Sequence, residues 1–196
     1  MLIIGIGGTT RPGSSSEVAL RTALDGARAC GADVRLFGAS DLQLPLYDPT
    51  APTRTDEAVA LIDAITRADG VVISSPGYHG TVSGLVKNAL DYVEDLASAE
   101  RPYLTGLPVG CVSVAYGWQA AVNTLQTLRS IVHSLRGWPT PYGASVNALE
   151  AGFADGECQE ADVVAKLELV GTQVATMAMR LRSTADLQPT GLAGAM

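Results

Sequence analysis

The chain has 196 residues, 47% hydrophobic and 17% charged, which suits a single domain with a proper core. Its formal net charge of -7 comes without any cluster of lysine and arginine, which excludes a surface that tracks a nucleic-acid backbone. No apolar run approaches the ~20 residues that cross a bilayer, and Met1 leads straight into a strand-like segment. The sequence therefore reads as cytoplasmic, with neither membrane nor nucleic acid as a partner.

Along the chain, apolar runs of strand length alternate with amphipathic segments. Residues 2–6 predict a first strand, 15–29 a helix, 34–37 a second strand and 55–67 a second helix. Residues 71–75 and 109–114 predict strands three and four, with helices over 82–96 and 120–135, and 142–146 predict a weaker fifth strand. The last helix is the clearest: Val163, Leu167, Val170, Val174, Met177 and Leu181 form one apolar stripe over 161–182, explained by packing on the sheet. Residues 1–182 read as one domain and 183–196 as a flexible tail, while the acidic, glycine-containing stretch 147–160 reads as a surface loop, or alternatively a lid. Cys30, Cys111 and Cys158 are odd in number, far apart and without a C-x-x-C pair, so they suggest neither a disulfide framework nor a zinc site. No metal is expected.

Strictly alternating strands and helices predict an α/β fold, a parallel five-stranded sheet covered on both faces with strand order 2-1-3-4-5. In that order a ligand binds beyond the carboxyl ends of the strands, beside strands one and three. The loops after Ile6, Ser75 and Val114 are where chemistry is expected.

The first of these loops is GGTTRPGSSSE, residues 7–17. It turns the chain into a helix whose leading amides are unpaired, a ready anion site. It is not the dinucleotide fingerprint, because Gly5 and Gly7 are followed by Thr10 and no acid ends the second strand at Leu36 or Phe37. Nor is it a Walker loop: Gly8 and Gly13 have the spacing, but Ser14 stands where the lysine would be. Thr9, Ser14 and Ser16 with the single charge of Arg11 suit one terminal monophosphate. The alternative is a helix N-cap, which needs only one of these hydroxyls and leaves the arginine unexplained.

The third strand runs into SPGYHGTVSGLVKNALD, residues 75–91. Pro76 fixes one dihedral, and Gly77 and Gly80 let the backbone lie close to a flat ring. Together with the first loop, this segment resembles the NAD(P)H-dependent FMN reductase family of flavodoxin-like proteins, whose members carry a phosphate loop of the form G-S-x-R-x-x-S and a segment S-P-x-Y-x-G-x-x-x-G-x-x-K-N-x-x-D. The second motif is nearly complete here, the first is looser, and the order of elements matches from Met1 to about Val146.

That resemblance implies a flavodoxin-like three-layer fold and FMN as cofactor, with NADPH or NADH as co-substrate. It implies that Thr9, Arg11, Ser14 and Ser16 bind the phosphate and that Pro76, Gly77, Tyr78, His79 and Gly80 line the isoalloxazine ring. Tyr116 and Gly117, in the loop after the fourth strand, fall where relatives surround the ring, and Trp118 either joins them or starts the fourth helix. Many relatives have Glu at the position of Gly77 and Asn at that of His79, so side-chain contacts to the ring edge differ here. His79 reads either as a proton donor or as a side chain packed beside the ring, and His133 as a surface or interface residue. Lys87, Asn88 and Asp91 fasten the third helix. The family's two-fold assembly implies a homodimer or dimer of dimers, with Tyr92, Val93 and Leu96 partly buried between subunits.

The function implied is hydride transfer from nicotinamide to flavin and on to an acceptor: a quinone, an azo compound, or free flavin for a partner monooxygenase. No catalytic side chain is required, because flavin chemistry needs placement above all. The alternatives are an FMN-dependent tailoring dehydrogenase or oxidase of an organic metabolite, and an electron-transfer flavodoxin.

Overall fold

Alternate residues of the central strands bury their side chains on opposite faces of one sheet. In the computed structural model, which describes residues 1–185, Ile4 and Ile6 of the first strand pack on one side and Ile3 on the other. The elements in order are β1 (Leu2–Gly7), α1 (Ser15–Ala29), β2 (Asp33–Phe37), α2 (Asp56–Arg67), β3 (Gly70–Tyr78), β4 (Thr81–Val82) and α3 (Gly84–Asp91). A 3-10 turn (Tyr92–Leu96) follows, then β5 (Pro108–Ala115), α4 (Trp118–Ser134), β6 (Trp138–Pro139), β7 (Ala144–Asn147), β8 (Phe153–Ala154), β9 (Glu157–Cys158) and α5 (Ala161–Ala185).

The main sheet runs β2-β1-β3-β5, and both β6 and β7 pair with β5 in parallel. This is the expected 2-1-3-4-5 order of a flavodoxin-like fold, with the fifth position shared between two short segments where one strand over 142–146 was expected. The reason is local: Pro139 and Pro141 lack an N–H, and a side chain on Gly143 would meet Leu125 Cδ1 at 2.9 Å. One face of the sheet packs Leu61, Ile65, Val86, Leu128 and Val132 from α2, α3 and α4, and the other packs Leu20, Leu24, Leu167, Val170 and Val174 from α1 and α5.

Local signals set the element boundaries. Thr55 Oγ1 accepts from Ala58 N, so it caps α2 from outside. Ser83 does the same for α3, accepting from Val86 N at 3.2 Å, so the helix expected from residue 82 starts at Gly84. The stretch 147–160 carries a small hairpin: β8 pairs antiparallel with β9 around Asp155 and Gly156, both with positive φ.

The stripe on α5 packs against α1 as well as the sheet. A methyl on Gly171 would lie 1.8 Å from the Ala23 carbonyl oxygen, and one on Gly26 would lie 2.0 Å from that of Glu168. The two helices therefore meet backbone to backbone. α5 extends past the expected boundary at residue 182, and residues 186–196 of the expected tail lie outside the described residues.

Asn88 does fasten its surroundings. Its Oδ1 accepts from Tyr47 N at 2.9 Å and its Nδ2 donates to the carbonyls of Leu44 and Pro45, pinning the loop that follows β2. Lys87 pairs with Asp91 one turn away. Tyr92, Val93 and Leu96 are buried within the chain itself, which corrects their expected place between subunits: Val93 and Leu96 belong to the core that α2 covers, and Tyr92 packs edge-on against Tyr47. Cys111 is buried as well, and desolvation pushes its thiol up to about 12, so it stays protonated and inert. Among the described residues no helix is long and apolar enough to cross a membrane.

Candidate functional site

β1 and β3 end side by side, with Gly7 in register with Ser74. A side chain on Gly7 would place its Cβ 2.0 Å from the Ser74 carbonyl oxygen, the same oxygen that accepts from Gly8 N at 3.3 Å. Only a bare backbone lets the first loop leave the sheet here. Gly13 then turns the chain at φ 68°, and Ser14 follows in extended geometry at the N-cap of α1.

Ser14 does not cap. Its hydroxyl accepts no bond from the first turn of α1 and lies instead 3.4 Å from Ser16 Oγ, both groups buried. The leading amides of α1 are thus left without the side-chain partner that a serine there normally supplies. Thr9 Oγ1 accepts from Arg11 N at 3.1 Å, fixing the arginine's backbone, while its guanidinium makes no hydrogen bond or ion pair among the described residues. Behind the loop lies Glu17, whose Oε1 pairs with Arg21 at 3.1 Å and whose buried Oε2 has no partner among the described residues. Amides, two buried hydroxyls and an unpaired cation meeting at one corner are the donor set for an anion.

The second loop is held as a hairpin. Ser75 Oγ accepts from Ser83 N at 3.0 Å and donates to the Pro76 carbonyl at 3.0 Å, and β3 pairs with β4 through Gly77–Val82 and Tyr78–Thr81. His79 and Gly80, with φ of 49° and 89°, are the two central residues of its tight turn. Both stand exposed at the tip. On the other side, a Cβ on Gly77 would meet Thr124 Oγ1 at 2.8 Å and Ala115 Cβ at 3.0 Å, so the hairpin base lies flat on β5 and α4.

The third loop leaves β5 at Ala115. Tyr116 is 77% exposed, Gly117 occupies the N-cap of α4, and Trp118 opens that helix.

These three loops border an open cleft. It brings together Thr9, Arg11, Ser14 and Ser16 from the first loop, Pro76, Gly77 and Tyr78 from the second, and Tyr116 from the third. His79, Gly80 and Gly117 do not line it: the hairpin turn carries the first two outward, and Gly117 turns away into α4. Trp118 faces a neighbouring cavity with Glu150 and Tyr142. Ser15, Val114, Ala115 and Ala148 line the cleft without having been expected. Ala148 arrives through a long-range bond, its N–H donating to the Ala115 carbonyl at 2.8 Å, a pairing no local pattern announces. A larger open hollow lies at the sheet edge by Trp138 and Met177, away from the strand ends where this fold binds ligands. No cluster of metal-ligating side chains occurs among the described residues.

The fold and much of the sequence are shared with known proteins. The solved structure of FerB, a flavoenzyme NAD(P)H:(acceptor) oxidoreductase from Paracoccus denitrificans, superposes with a TM-score of 0.73 at 18% identity, covering 91% of this chain and 97% of that one. In sequence, the chain is 29% identical over 161 residues to an NADPH azoreductase of Bacillus sp. strain OY1-2, covering 82% of this chain and 83% of the relative. It is 30% identical over 129 residues to the NADPH-dependent FMN reductase ArsH of Acidithiobacillus ferrooxidans, covering 66% of this chain and 52% of that protein. The family model described as NADPH-dependent FMN reductase matches residues 1–150, every element of the fold except the 153–158 hairpin and α5, and so every residue that lines the cleft. The chain therefore belongs to the NADPH-dependent FMN reductase family, a family of oxidoreductases that use FMN and a nicotinamide.

Proposed function

We propose that this protein holds FMN in the cleft and passes electrons from NADPH or NADH to a small organic acceptor, an azo compound or a quinone, or to free flavin for a partner monooxygenase. One observation carries the reading: at the end of β1, Ser14 and Ser16 bury two hydroxyls that cap nothing, beside the guanidinium of Arg11, which is unpaired among the described residues.

The residues fit the cofactor. A terminal phosphate would take the α1 amides, the hydroxyls of Thr9, Ser14 and Ser16, and a charge-assisted bond from Arg11. Pro76, Gly77 and Tyr78 on the pinned hairpin, with Tyr116 opposite, would bracket a flat ring. When bound, FMN supplies a centre that takes hydride from nicotinamide and gives electrons to the acceptor. The protein's share is orientation: the Ser75–Ser83 bond holds the hairpin before any ligand arrives, so little ordering remains to be done on binding. Backbone N–H groups of the hairpin near the ring would offset its added negative charge. The azo acceptor is favoured by the Bacillus relative, which is aligned over most of both chains. A homodimer or dimer of dimers completes the proposal, supported by the family resemblance and checked by light scattering on the eluting protein.

The test is an absorbance spectrum of the purified protein, followed by anaerobic addition of NADPH, then NADH, then methyl red or benzoquinone. Flavin absorption that either nicotinamide bleaches and an acceptor restores is the expected outcome. Protein that retains no added FMN overturns it together with both alternatives, whereas bound flavin that neither nicotinamide bleaches overturns it in favour of the tailoring enzyme or the electron carrier.

A further inference from the structure

The carboxylate of Glu150 joins two loops that both wall the cleft. Its Oε1 accepts from Trp118 Nε1 at 2.9 Å and from Asn147 Nδ2 at 2.6 Å, while Asn147 Oδ1 accepts from Leu149 N at 3.2 Å. One oxygen thus ties the start of α4 to the end of β7. Between the anchors runs a short bridge: Ala115 is fixed by its place in β5 and by the bond from Ala148, Trp118 is fixed by Glu150, and Tyr116 and Gly117 span the gap. Gly117 has φ 131°, a conformation that residues with a side chain rarely adopt. Tyr116 itself makes no hydrogen bond among the described residues and is largely exposed, so its ring is aimed by the bridge alone.

The position of the acid has a second physical reason. The N-cap of α4 is a glycine that supplies no side-chain oxygen, and the first turn of that helix contains no acidic residue. Glu150 brings a negative charge to that end from another part of the chain, where the helix dipole favours it.

We propose that Glu150 is a positioning residue: by clasping Trp118 and Asn147 it holds Tyr116 against the open side of the cleft and so sets how closely the electron acceptor packs there. The inference rests on the reading that the cleft holds FMN and that its open side receives the reaction partner. The phosphate end, built from Thr9, Arg11, Ser14 and Ser16, is made by other loops and stays as it is when the clasp is cut.

The experiment uses the FMN-loaded protein and compares Glu150→Ala, Glu150→Gln and Trp118→Phe with the parent, with methyl red as acceptor. Glu150→Ala removes both bonds, Trp118→Phe removes only the indole N–H and keeps an aromatic ring, and Glu150→Gln retains an oxygen able to accept both. The expected result is a KM for methyl red raised at least five-fold in Glu150→Ala and Trp118→Phe with kcat within two-fold, FMN affinity within three-fold, and KM restored to within two-fold of the parent in Glu150→Gln. A KM unchanged in Glu150→Ala overturns the inference. So does a joint fall in FMN affinity and melting temperature with no change in KM, which marks a purely structural tie. A parent protein that retains FMN and is bleached by nicotinamide keeps the functional reading intact in either case, whereas a parent that takes up no FMN removes both.

Discussion

Ser74 Oγ donates a 2.8 Å hydrogen bond to the carbonyl of Ser16, two buried residues 58 positions apart in sequence. The bond joins the strand that leads into the Pro76 hairpin to the first turn of α1, so the two ends of the cleft are spaced by one short contact. Ser74→Ala is expected to lower stability by about 1 kcal/mol, the usual net worth of a buried neutral hydrogen bond. It is also expected to weaken FMN binding by roughly two- to five-fold, about 0.4–1 kcal/mol, because the phosphate and ring ends can then drift apart. Urea denaturation and a fluorescence titration with FMN measure the two effects. A variant as stable as the parent, with the same affinity, would show that the spacing is set by the sheet register alone.

Among the described residues, Arg11 carries the only charge in the cleft lining and has no protein partner. Arg11→Ala is expected to reduce FMN affinity by about 1.5–3 kcal/mol, the value of a charge-assisted contact. Thermal stability without FMN should stay within about 0.5 kcal/mol of the parent, since no native bond is lost. Riboflavin, which lacks the phosphate, should bind both forms equally. Loss of riboflavin binding in the variant would place the arginine away from the phosphate.

Much of this was legible before any coordinates. The alternation of apolar runs gave the sheet order and α1 to the residue, because each central strand is buried on both faces and each helix has one apolar stripe. That Thr9, Arg11, Ser14 and Ser16 line one cleft was legible because the loop that carries them leaves the end of a central strand. What escaped was set by distant contacts. Nothing near residue 148 announces that Ala148 bonds Ala115, or that Glu150 reaches Trp118. The family resemblance places His79 and Gly80 along the ring, whereas two positive φ values make them the turn itself and leave them exposed at its tip, outside the cleft lining. The close crossing of α1 and α5 was hidden too, since a helical glycine is silent about its neighbour until the partner helix is in place.

The loop after β2 is held by a charged knot with its own pH signature. Arg54 donates through Nε and Nη2 to Asp95 at 2.7 and 2.8 Å, and Tyr47 Oη donates to the same carboxylate at 3.1 Å. The hydrogen bonds from Arg54, foremost, hold the Asp95 carboxyl below the usual carboxylate range. A carboxyl depressed in the folded state stabilises it fully above the unfolded value of about 3.9 and loses that contribution as pH falls through the folded value. Asp95→Asn should therefore cost a few tenths to about 1 kcal/mol at neutral pH, given the partial exposure of the pair. The gap between parent and variant should be level from about pH 8 to about pH 5 and shrink below about pH 4. Melting curves across that range check it, and a gap that widens in acid would assign the shift to another group.

Gly171 tests whether sterics or helix propensity governs the α1–α5 crossing. Alanine is favoured over glycine in a helix interior by about 0.8–1 kcal/mol, so propensity alone predicts that Gly171→Ala stabilises. The added methyl would lie 1.8 Å from the Ala23 carbonyl oxygen, a contact with backbone that no rotamer change relieves. Forcing the helices apart also opens the packing of Leu167, Val170 and Val174, all fully buried. Overpacking of this kind costs about 1–3 kcal/mol or more, which outweighs the propensity gain. A net loss of about 2 kcal/mol is therefore expected, about 4–8 °C in melting temperature for a chain of this size. FMN affinity should hold within about two-fold, because the crossing shares no residue with the cleft lining. A more stable Gly171→Ala protein would mean that α5 can slide along α1 without disturbing the sheet beneath.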